Sequence, residues 1–221
     1  MAPQIPGFNI VWADDFDGPK GSPPNTSDNW NINQDGPNRG SGEIQQYTNH
    51  TNNVCLLGTG AVWLMPTKDG NGNWTSAKLE GKHKFSCEAG KKMILQASIR
   101  TGSHPTFQQK GVWPAFWALG DAFRRSGSDH LPWPQCGEWD ILENTGGEGF
   151  TLASLHYGTG EGSAKERSVG GNLGNAEQKS FVVEQFNTFS LQVDRSASSF
   201  ENETLTWSLN GQPWFTARGS E

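Results

Sequence analysis

The stretch KMILQASIR, residues 92 to 100, alternates apolar side chains with more polar ones. In this stretch Met93, Leu95, Ala97 and Ile99 all fall on the same phase of the alternation. A period of two is typical of a β-strand that buries one face. We therefore predict a half-buried strand here, and FSLQVDR at residues 189 to 195 repeats the pattern.

A second pattern, LTWSLNGQPWFTA at residues 205 to 217, predicts a hairpin. Leu205, Trp207 and Leu209 alternate up to the pair Asn210-Gly211. Asn and Gly tolerate the positive φ that a tight turn requires. Similar strands recur between Gly-, Asn- and Pro-rich loops with no helical pattern between them, so we predict an all-β fold. Antiparallel sheets packed as a sandwich or jelly roll are the expected architecture.

The composition agrees with this fold class and excludes several functions. The 221 residues suffice for one core, so we interpret residues 1–221 as a single domain. Gly (28) and Pro (12) are abundant, as expected for many turns. The net charge of -6 without a basic cluster argues against nucleic acid or an anionic membrane as partner. No apolar run reaches the length of a membrane span.

The cysteines and the first residues carry less information. Cys55, Cys87 and Cys136 are an odd number, which allows one disulfide at most, with buried free thiols as the alternative. They lack the short repeated spacing of a zinc site. The start, MAPQIPGFNIVWADDFDGPK, lacks the charged and apolar regions of a signal peptide, so we expect no export signal in it.

The segment CGEWDILEN, residues 136 to 144, places three carboxylates in an apolar strand. Strand alternation puts Glu138 and Asp140 on one face, while Trp139 and Ile141 point to the core. A one-residue β-bulge after Asp140 would bring Glu143 onto the acidic face and keep the apolar residues buried. We therefore predict a bulged strand that presents a row of three acids.

Such a row is unfavourable for stability, which points to a chemical role. Neighbouring carboxylates repel one another, so the pKa of at least one should be raised. The long outer residues, Glu138 and Glu143, can lean together over the shorter Asp140. In retaining glycosidases the two catalytic carboxyl groups are about 5 Å apart, and this geometry permits that separation. The row is thus compatible with a nucleophile and a general acid/base.

Several segments resemble glycoside hydrolase family 16, in the form of the laminarinase-like endo-β-1,3(4)-glucanases. GEWDILE is similar to the family's bulged acidic signature, Glu-x-Asp-x-x-Glu. GVWPAFWALG at 111 to 120 resembles the strand that precedes it in the family. Further similar segments are GEIQQYT, TSAKLEGKHKFSCEAGKKMILQASIR, LASLHYG and FNTFSLQVD. The resemblance extends over most of the chain.

This resemblance implies a concanavalin-like β-jelly-roll sandwich of two curved antiparallel sheets, with polysaccharide bound in a cleft. It implies a retaining endo-acting hydrolase of β-1,3- or mixed β-1,3/1,4-glucan. Carried over by motif position, Glu138 is the nucleophile, Asp140 the supporting carboxylate and Glu143 the general acid/base. Family members also lead us to expect a secreted monomer.

No metal or other cofactor is required for this chemistry. Relatives often hold a structural calcium ion, but we assign no residues to it. They also continue beyond FTARGSE with a further strand, so we expect this chain to lack a C-terminal strand of the jelly roll.

Four further residues are candidates for contact with the substrate. Trp113, Trp117 and Trp133 have indole faces suited to stacking on a sugar ring. Trp113 and Trp117 are four residues apart, so both should line the cleft or both should be buried. His156 resembles the family's polar residue near the reacting sugar. A core position for each tryptophan, and a structural role for the histidine, are the alternatives.

Alternative functions remain open at this level. A non-catalytic β-glucan-binding jelly roll would share the fold, and transglycosylases or galactan-cleaving relatives would share the acid row. A cation site made of the three carboxylates is a third hypothesis. It is disfavoured for calcium, because one strand does not supply the converging oxygen atoms that calcium prefers.

Overall fold

The computed structural model describes residues 2–38, 41–102, 104–159 and 178–220, and the backbone of residues 166–170. Its structure is almost entirely β, with 7% of the residues helical. In the described ranges the helical residues form short 3-10 turns at Thr106–Gln108, Asp121–Arg124, Gly127–Asp129 and Phe200–Asn202. The chain divides into two compact units, Met1–Phe85 and Ser86–Glu221. The interpretation of residues 1–221 as one domain stays a prediction.

The first unit consists of small sheets built from short strands. In chain order these are β1 (Trp30–Ile32), β2 (Gln46–Tyr47), β3 (Val54–Leu56), β4 (Val62–Leu64), β5 (Thr67–Lys68), β6 (Trp74–Ser76) and β7 (Leu79–Gly81). The pairs β1–β7, β3–β4 and β5–β6 are antiparallel, whereas β2 and β6 are parallel. Tyr47, Val54 and Leu56 are buried in this unit.

The second unit contains longer strands. They are β8 (Lys92–Ile99), β9 (Ala115–Leu119), β10 (Glu138–Glu143), β11 (Phe150–Gly158), β12 (Glu166–Gly170), β13 (Gln178–Ser180), β14 (Asn187–Asp194), β15 (Thr204–Leu209) and β16 (Gln212–Arg218). One sheet has the order β12-β11-β10-β9, and β13 also pairs with β11. The other sheet has the order β16-β15-β14-β8. All of these pairs are antiparallel.

The two sheets of the second unit share one apolar core. Both sheets contribute buried residues to it: Ile141, Leu142, Ala153, Phe189, Leu191, Trp207, Leu209 and Ala217. Along β14 buried and half-buried residues alternate strictly, because successive strand side chains point to opposite faces. The strands predicted from KMILQASIR and FSLQVDR are therefore confirmed as β8 and β14.

The predicted hairpin is also confirmed. Asn210 and Gly211 connect β15 to β16, with φ values of 51° and 76°. The Asn210 carboxamide oxygen accepts a hydrogen bond from the backbone N–H of Thr188 at 2.8 Å, which ties the turn to β14. In the described part of the chain, no helix is long and apolar enough to span a membrane.

Candidate active site

The acidic strand β10 contains the predicted bulge. Asp140 pairs with Ser154 of β11, whereas Glu143 pairs with Leu152. Three steps along β10 thus correspond to two steps along β11, and the register against β9 shifts at the same place. The extra residue lets both apolar residues between the acids be buried while Glu143 returns to the face of Asp140.

Residues of the neighbouring strands complete this face. Directly paired residues of antiparallel strands project their side chains to the same side of the sheet. His156 of β11 pairs with Glu138, and Trp117 of β9 pairs with Asp140. An imidazole and an indole therefore flank the acid row from its two sides.

The first acid of the row is poorly solvated. Burial raises the pKa of Glu138 to about 7, and the charge of Asp140 acts in the same direction. A hydrogen bond from the Trp133 indole and the proximity of His156 favour the ionised form and partly oppose this increase in pKa. Glu138 therefore exchanges its proton near neutral pH.

The last acid of the row is in a similar environment. Burial raises the pKa of Glu143 to about 7, again with a contribution from the Asp140 charge. The Ser154 hydroxyl donates a hydrogen bond to Glu143 Oε2 at 3.2 Å, and Trp113 supplies a second hydrogen bond. Both glutamates therefore combine partial burial with indole and polar partners, as expected of groups that exchange protons.

Asp140 is the most buried of the three acids. Its side chain is 4% exposed, and its Oδ2 atom lies 3.3 Å from His156 Nε2. Among the described residues this oxygen has no partner with hydrogen-bond geometry. Asp140 is thus a buried negative charge between the two glutamates, and it raises the pKa of both.

The three predicted tryptophans surround the acids. Trp113 and Trp117 are 49% and 40% exposed, so both rings are open to solvent, as required for stacking on a sugar. Trp133 is half-buried, and its ring centroid lies 5.6 Å from that of His156. The structure therefore places all of the predicted site residues along the acid row of β10, with Trp133 beside Glu138 and Trp113 beside Glu143.

Two residues of the site were not predicted from the sequence. Ser154 donates a hydrogen bond to Glu143. It precedes His156 by two residues on the same strand, so strand alternation could have identified it as a residue of the same face. Trp207 belongs to the other sheet of the unit and is fully buried. Its indole N–H donates to the backbone carbonyl of Asp140 at 2.7 Å, which ties the bulge to the core. No local pattern in the sequence indicates this contact.

A close backbone contact holds the segment that leads into Glu138. The Gly120 N–H donates to the Gly137 carbonyl at 2.9 Å. A Cβ atom added at Gly120 would lie 1.7 Å from the carbonyl oxygen of Cys136, so only glycine permits this approach. Gly137 itself has a φ of 81°, a left-handed conformation that glycine adopts without strain.

The only group of potential metal ligands in the described residues is Glu138, Asp140 and His156, whose ligand atoms lie within 4.8 Å of one another. Two carboxylates and an imidazole do not fit calcium, which takes about 6–8 oxygen ligands. The structural calcium ion that relatives often hold is therefore not assigned to this cluster. The three cysteines are free and half-buried, so no disulfide links them.

Comparisons with solved structures show which proteins the chain is similar to. The crystal structure of an endo-1,3-beta-glucanase from Streptomyces sioyaensis matches with a TM-score of 0.83 and 32% identity, covering 100% of this chain and 80% of that one. A glycoside hydrolase family 16 endo-glucanase from Bacteroides ovatus, in complex with G4G3G-2F-DNP, matches with a TM-score of 0.63 and 25% identity. The match covers 96% of this chain and 80% of that chain.

Curated sequences give the same relationship. The glucan endo-1,3-beta-glucosidase A1 of Niallia circulans is 27% identical over 224 residues, which are 95% of this chain and 29% of that protein. The chain spans 29% and 64% of the lengths of two curated relatives that it matches. No family model matches the chain.

The likeness of fold and sequence to the Streptomyces sioyaensis enzyme places the chain in the class of jelly-roll glycoside hydrolases. Within that class, the chain belongs to glycoside hydrolase family 16, with the endo-1,3-beta-glucanases as its structural neighbours. The predicted jelly-roll fold is confirmed by the same likeness.

Proposed function

We propose that the chain is a retaining endo-acting glycosidase that hydrolyses β-1,3- or mixed β-1,3/1,4-glucan through a covalent glycosyl-enzyme intermediate. In this proposal Glu138 is the nucleophile and Glu143 the general acid/base. The observation that carries the proposal is the bulge in β10, which returns Glu143 to the face of Glu138 and Asp140. The relatives named as glucanases support the substrate class.

The first chemical step forms the intermediate. Glu138, in its ionised form, attacks the anomeric carbon and forms an ester bond. The pKa of both glutamates is about 7, so near neutral pH the pair can carry one proton; in the reacting form Glu143 holds it and transfers it to the departing glycosidic oxygen. The leaving half of the glucan thus departs as a neutral alcohol.

The second step regenerates the acids. Esterification removes the charge of Glu138, so Glu143 remains ionised more readily than before. Its carboxylate takes a proton from water while the water oxygen attacks the anomeric carbon and the ester bond breaks. The sugar is released with its original anomeric configuration, and both glutamates return to their starting states.

Asp140 and His156 support these steps without forming bonds to the sugar. Burial and the charge of Asp140 together raise the pKa of both glutamates, so one of them can hold a proton near neutral pH. His156 Nε2 lies 3.3 Å from Asp140 Oδ2, so the imidazole is placed to interact with that carboxylate.

Sugar rings are bound by the tryptophans. The exposed rings of Trp113 and Trp117 can cover the apolar faces of successive glucosyl units, and Trp133 lies beside Glu138 and His156. We further propose that the chain acts as a secreted monomer on an extracellular polysaccharide and requires no cofactor for catalysis.

The test is reducing-sugar release from a linear β-1,3-glucan by the purified protein. We expect wild-type activity, loss of activity in Glu138→Gln, and full activity in the matched control Glu148→Gln, whose residue is exposed. Binding of the glucan without release of sugar by the wild-type protein would identify a binding module and overturn the proposal. Transfer of glucosyl units to added oligosaccharide without net hydrolysis would identify a transglycosylase instead.

A further inference from the structure

The cluster of Glu138, Asp140 and His156 has the composition of a metal site as well as that of a glycosidase site. Their ligand atoms lie within 4.8 Å of one another and come from two adjacent strands, β10 and β11. The imidazole is the feature that separates this cluster from a purely acidic row. With this imidazole beside the two carboxylates, the cluster offers both nitrogen and oxygen ligands.

The separation of two of these atoms matches a zinc coordination shell. Ligands at about 2.0–2.1 Å from a tetrahedral zinc ion lie about 3.3–3.4 Å apart. Asp140 Oδ2 and His156 Nε2 are 3.3 Å apart. A single ion can therefore contact both atoms without a change in their spacing. Glu138 offers the third ligand atom, which lies within the same 4.8 Å cluster.

Asp140 supplies an independent observation. Its side chain is 4% exposed, and its Oδ2 atom, which faces His156, has no hydrogen-bond partner in the described ranges. Apart from the His156 nitrogen at 3.3 Å, which lacks hydrogen-bond geometry, this buried oxygen has no donor among the described residues to replace the water that it has lost, which is unfavourable. A cation between Oδ2 and the imidazole would compensate for that loss.

The ligand types determine which cation fits. Imidazole favours zinc, copper or nickel over calcium and magnesium, which prefer oxygen ligands alone. Three protein ligands also leave one tetrahedral position for water. We propose that Glu138, Asp140 and His156 bind a divalent transition-metal ion of the zinc type. A further part of the proposal, which rests on the proposed function, is that the bound ion inhibits glucan hydrolysis by occupying the carboxylate of the nucleophile.

The binding experiment is a titration of the metal-free protein with Co²⁺, followed by visible absorption. We expect the intense bands of a tetrahedral cobalt site, without a near-ultraviolet thiolate band, and displacement of Co²⁺ by Zn²⁺. His156→Gln should weaken binding at least tenfold, and Glu138→Gln should also weaken it. The matched control His50→Gln removes an exposed imidazole and should bind as the wild-type protein does.

Three outcomes overturn the metal site: no cobalt bands, bands that His156→Gln leaves unchanged, or a thiolate band that identifies a cysteine ligand. Circular dichroism of each variant checks that it is folded. Because visible absorption does not depend on enzyme turnover, this experiment tests metal binding independently of the proposed glucanase activity.

The activity experiment tests inhibition. Zn²⁺ at ten times its dissociation constant should leave about one tenth of the glucan hydrolysis, since a bound ion and attack by Glu138 exclude each other. A chelator should restore the rate. Full hydrolysis at saturating Zn²⁺ would contradict inhibition through Glu138, whereas absence of hydrolysis without metal would contradict the proposed function instead.

Discussion

At the level of single residues, the three acids of β10 differ in burial, and this difference suits the separate roles proposed for them. Asp140 is 3% exposed, whereas Glu138 and Glu143 are half-buried and lie next to indole rings. The two outer residues can therefore reach a sugar, while the middle one acts on them through its charge. The pKa of each glutamate is raised to about 7, which suits proton transfer near neutral pH.

The raised pKa of Glu138 predicts a pH-dependent stability effect. Its ordinary value of 4.5 applies to the unfolded chain, and about 7 applies to the folded protein. Between these values the folded state binds more protons, so ionisation costs stability as the pH rises from about 4.5 to 7. Glu138→Gln should therefore stabilise the protein at pH 8 and not at pH 4. Allowing for partial exposure of the side chain, we expect on the order of 1 kcal/mol.

Thermal unfolding of both proteins at the two pH values measures this effect. Glu148→Gln serves as the control, because that residue is exposed and should show the same small change at both pH values. A stabilisation of Glu138→Gln that is equal at pH 4 and pH 8 would contradict the raised pKa.

The role of Glu143 predicts a dependence on the leaving group. A general acid contributes about 10²–10⁴-fold to the rate when the leaving group needs a proton. Glu143→Gln should therefore lose glucan hydrolysis by a factor in this range. Formation of the intermediate from an aryl glucoside with a dinitrophenyl leaving group should be nearly unaffected, as measured by the burst of released phenol. A burst reduced as strongly as glucan hydrolysis would exclude the acid role.

At the element scale, the bulge of β10 depends on the opposite sheet. The Trp207 indole N–H donates to the Asp140 carbonyl at 2.7 Å, and the indole is fully buried in the shared core. This bond satisfies a carbonyl group at the point where the strand register shifts. We infer that Trp207 is a positioning residue, because it acts on the acids through the backbone of Asp140.

Trp207→Phe tests this role, since it removes the N–H group and keeps most of the apolar ring. We expect a loss of about 1–3 kcal/mol in unfolding free energy, because a buried carbonyl loses its donor. We also expect a lower kcat and a shifted pH profile, as Glu143 moves relative to Glu138. Trp214→Phe on β16 is the matched control. If Trp207→Phe loses stability but keeps the wild-type pH profile of activity, Trp207 contributes only to packing of the core.

Part of the strand arrangement could be predicted from the sequence. Alternation of side chains predicted β8, β14 and the β15–β16 hairpin, because burial of one sheet face leaves a period-two pattern. The bulge was predicted because only an extra residue reconciles three acids on one face with a buried apolar pair. Trp207 could not be predicted, because its bond to Asp140 spans 67 residues and depends on how two sheets pack.

At the scale of the whole molecule, the core and the site are built from the same strands. Ile141 and Leu142 of β10 pack into the core. Glu138, Asp140 and Glu143 lie on the opposite face of the same strand. Because the jelly-roll core fixes the strand, the acids are held in place by the packing of the second unit. Because one strand supplies both the core residues and the acids, the acid row could be predicted from the sequence of that strand.

The expectation of a secreted monomer concerns the whole molecule. The sequence predicts it only through resemblance, since no core position or strand pattern encodes secretion or oligomeric state. Sedimentation of the purified protein should give the mass of a single chain, 24.1 kDa. A mass that is a multiple of this value across a range of protein concentrations would contradict the expectation.

The proposed mechanism requires a covalent bond between Glu138 and the sugar. The most direct measurement is intact mass spectrometry after incubation with a 2-deoxy-2-fluoro β-glucan oligosaccharide that carries a dinitrophenyl leaving group, followed by peptide mapping. Fluorine at C2 slows hydrolysis of the intermediate, so a retaining enzyme accumulates it. We predict one sugar adduct per chain, attached to Glu138 and absent from Glu138→Gln. Hydrolysis of glucan without an adduct, or an adduct on another residue, would show that Glu138 is not the nucleophile.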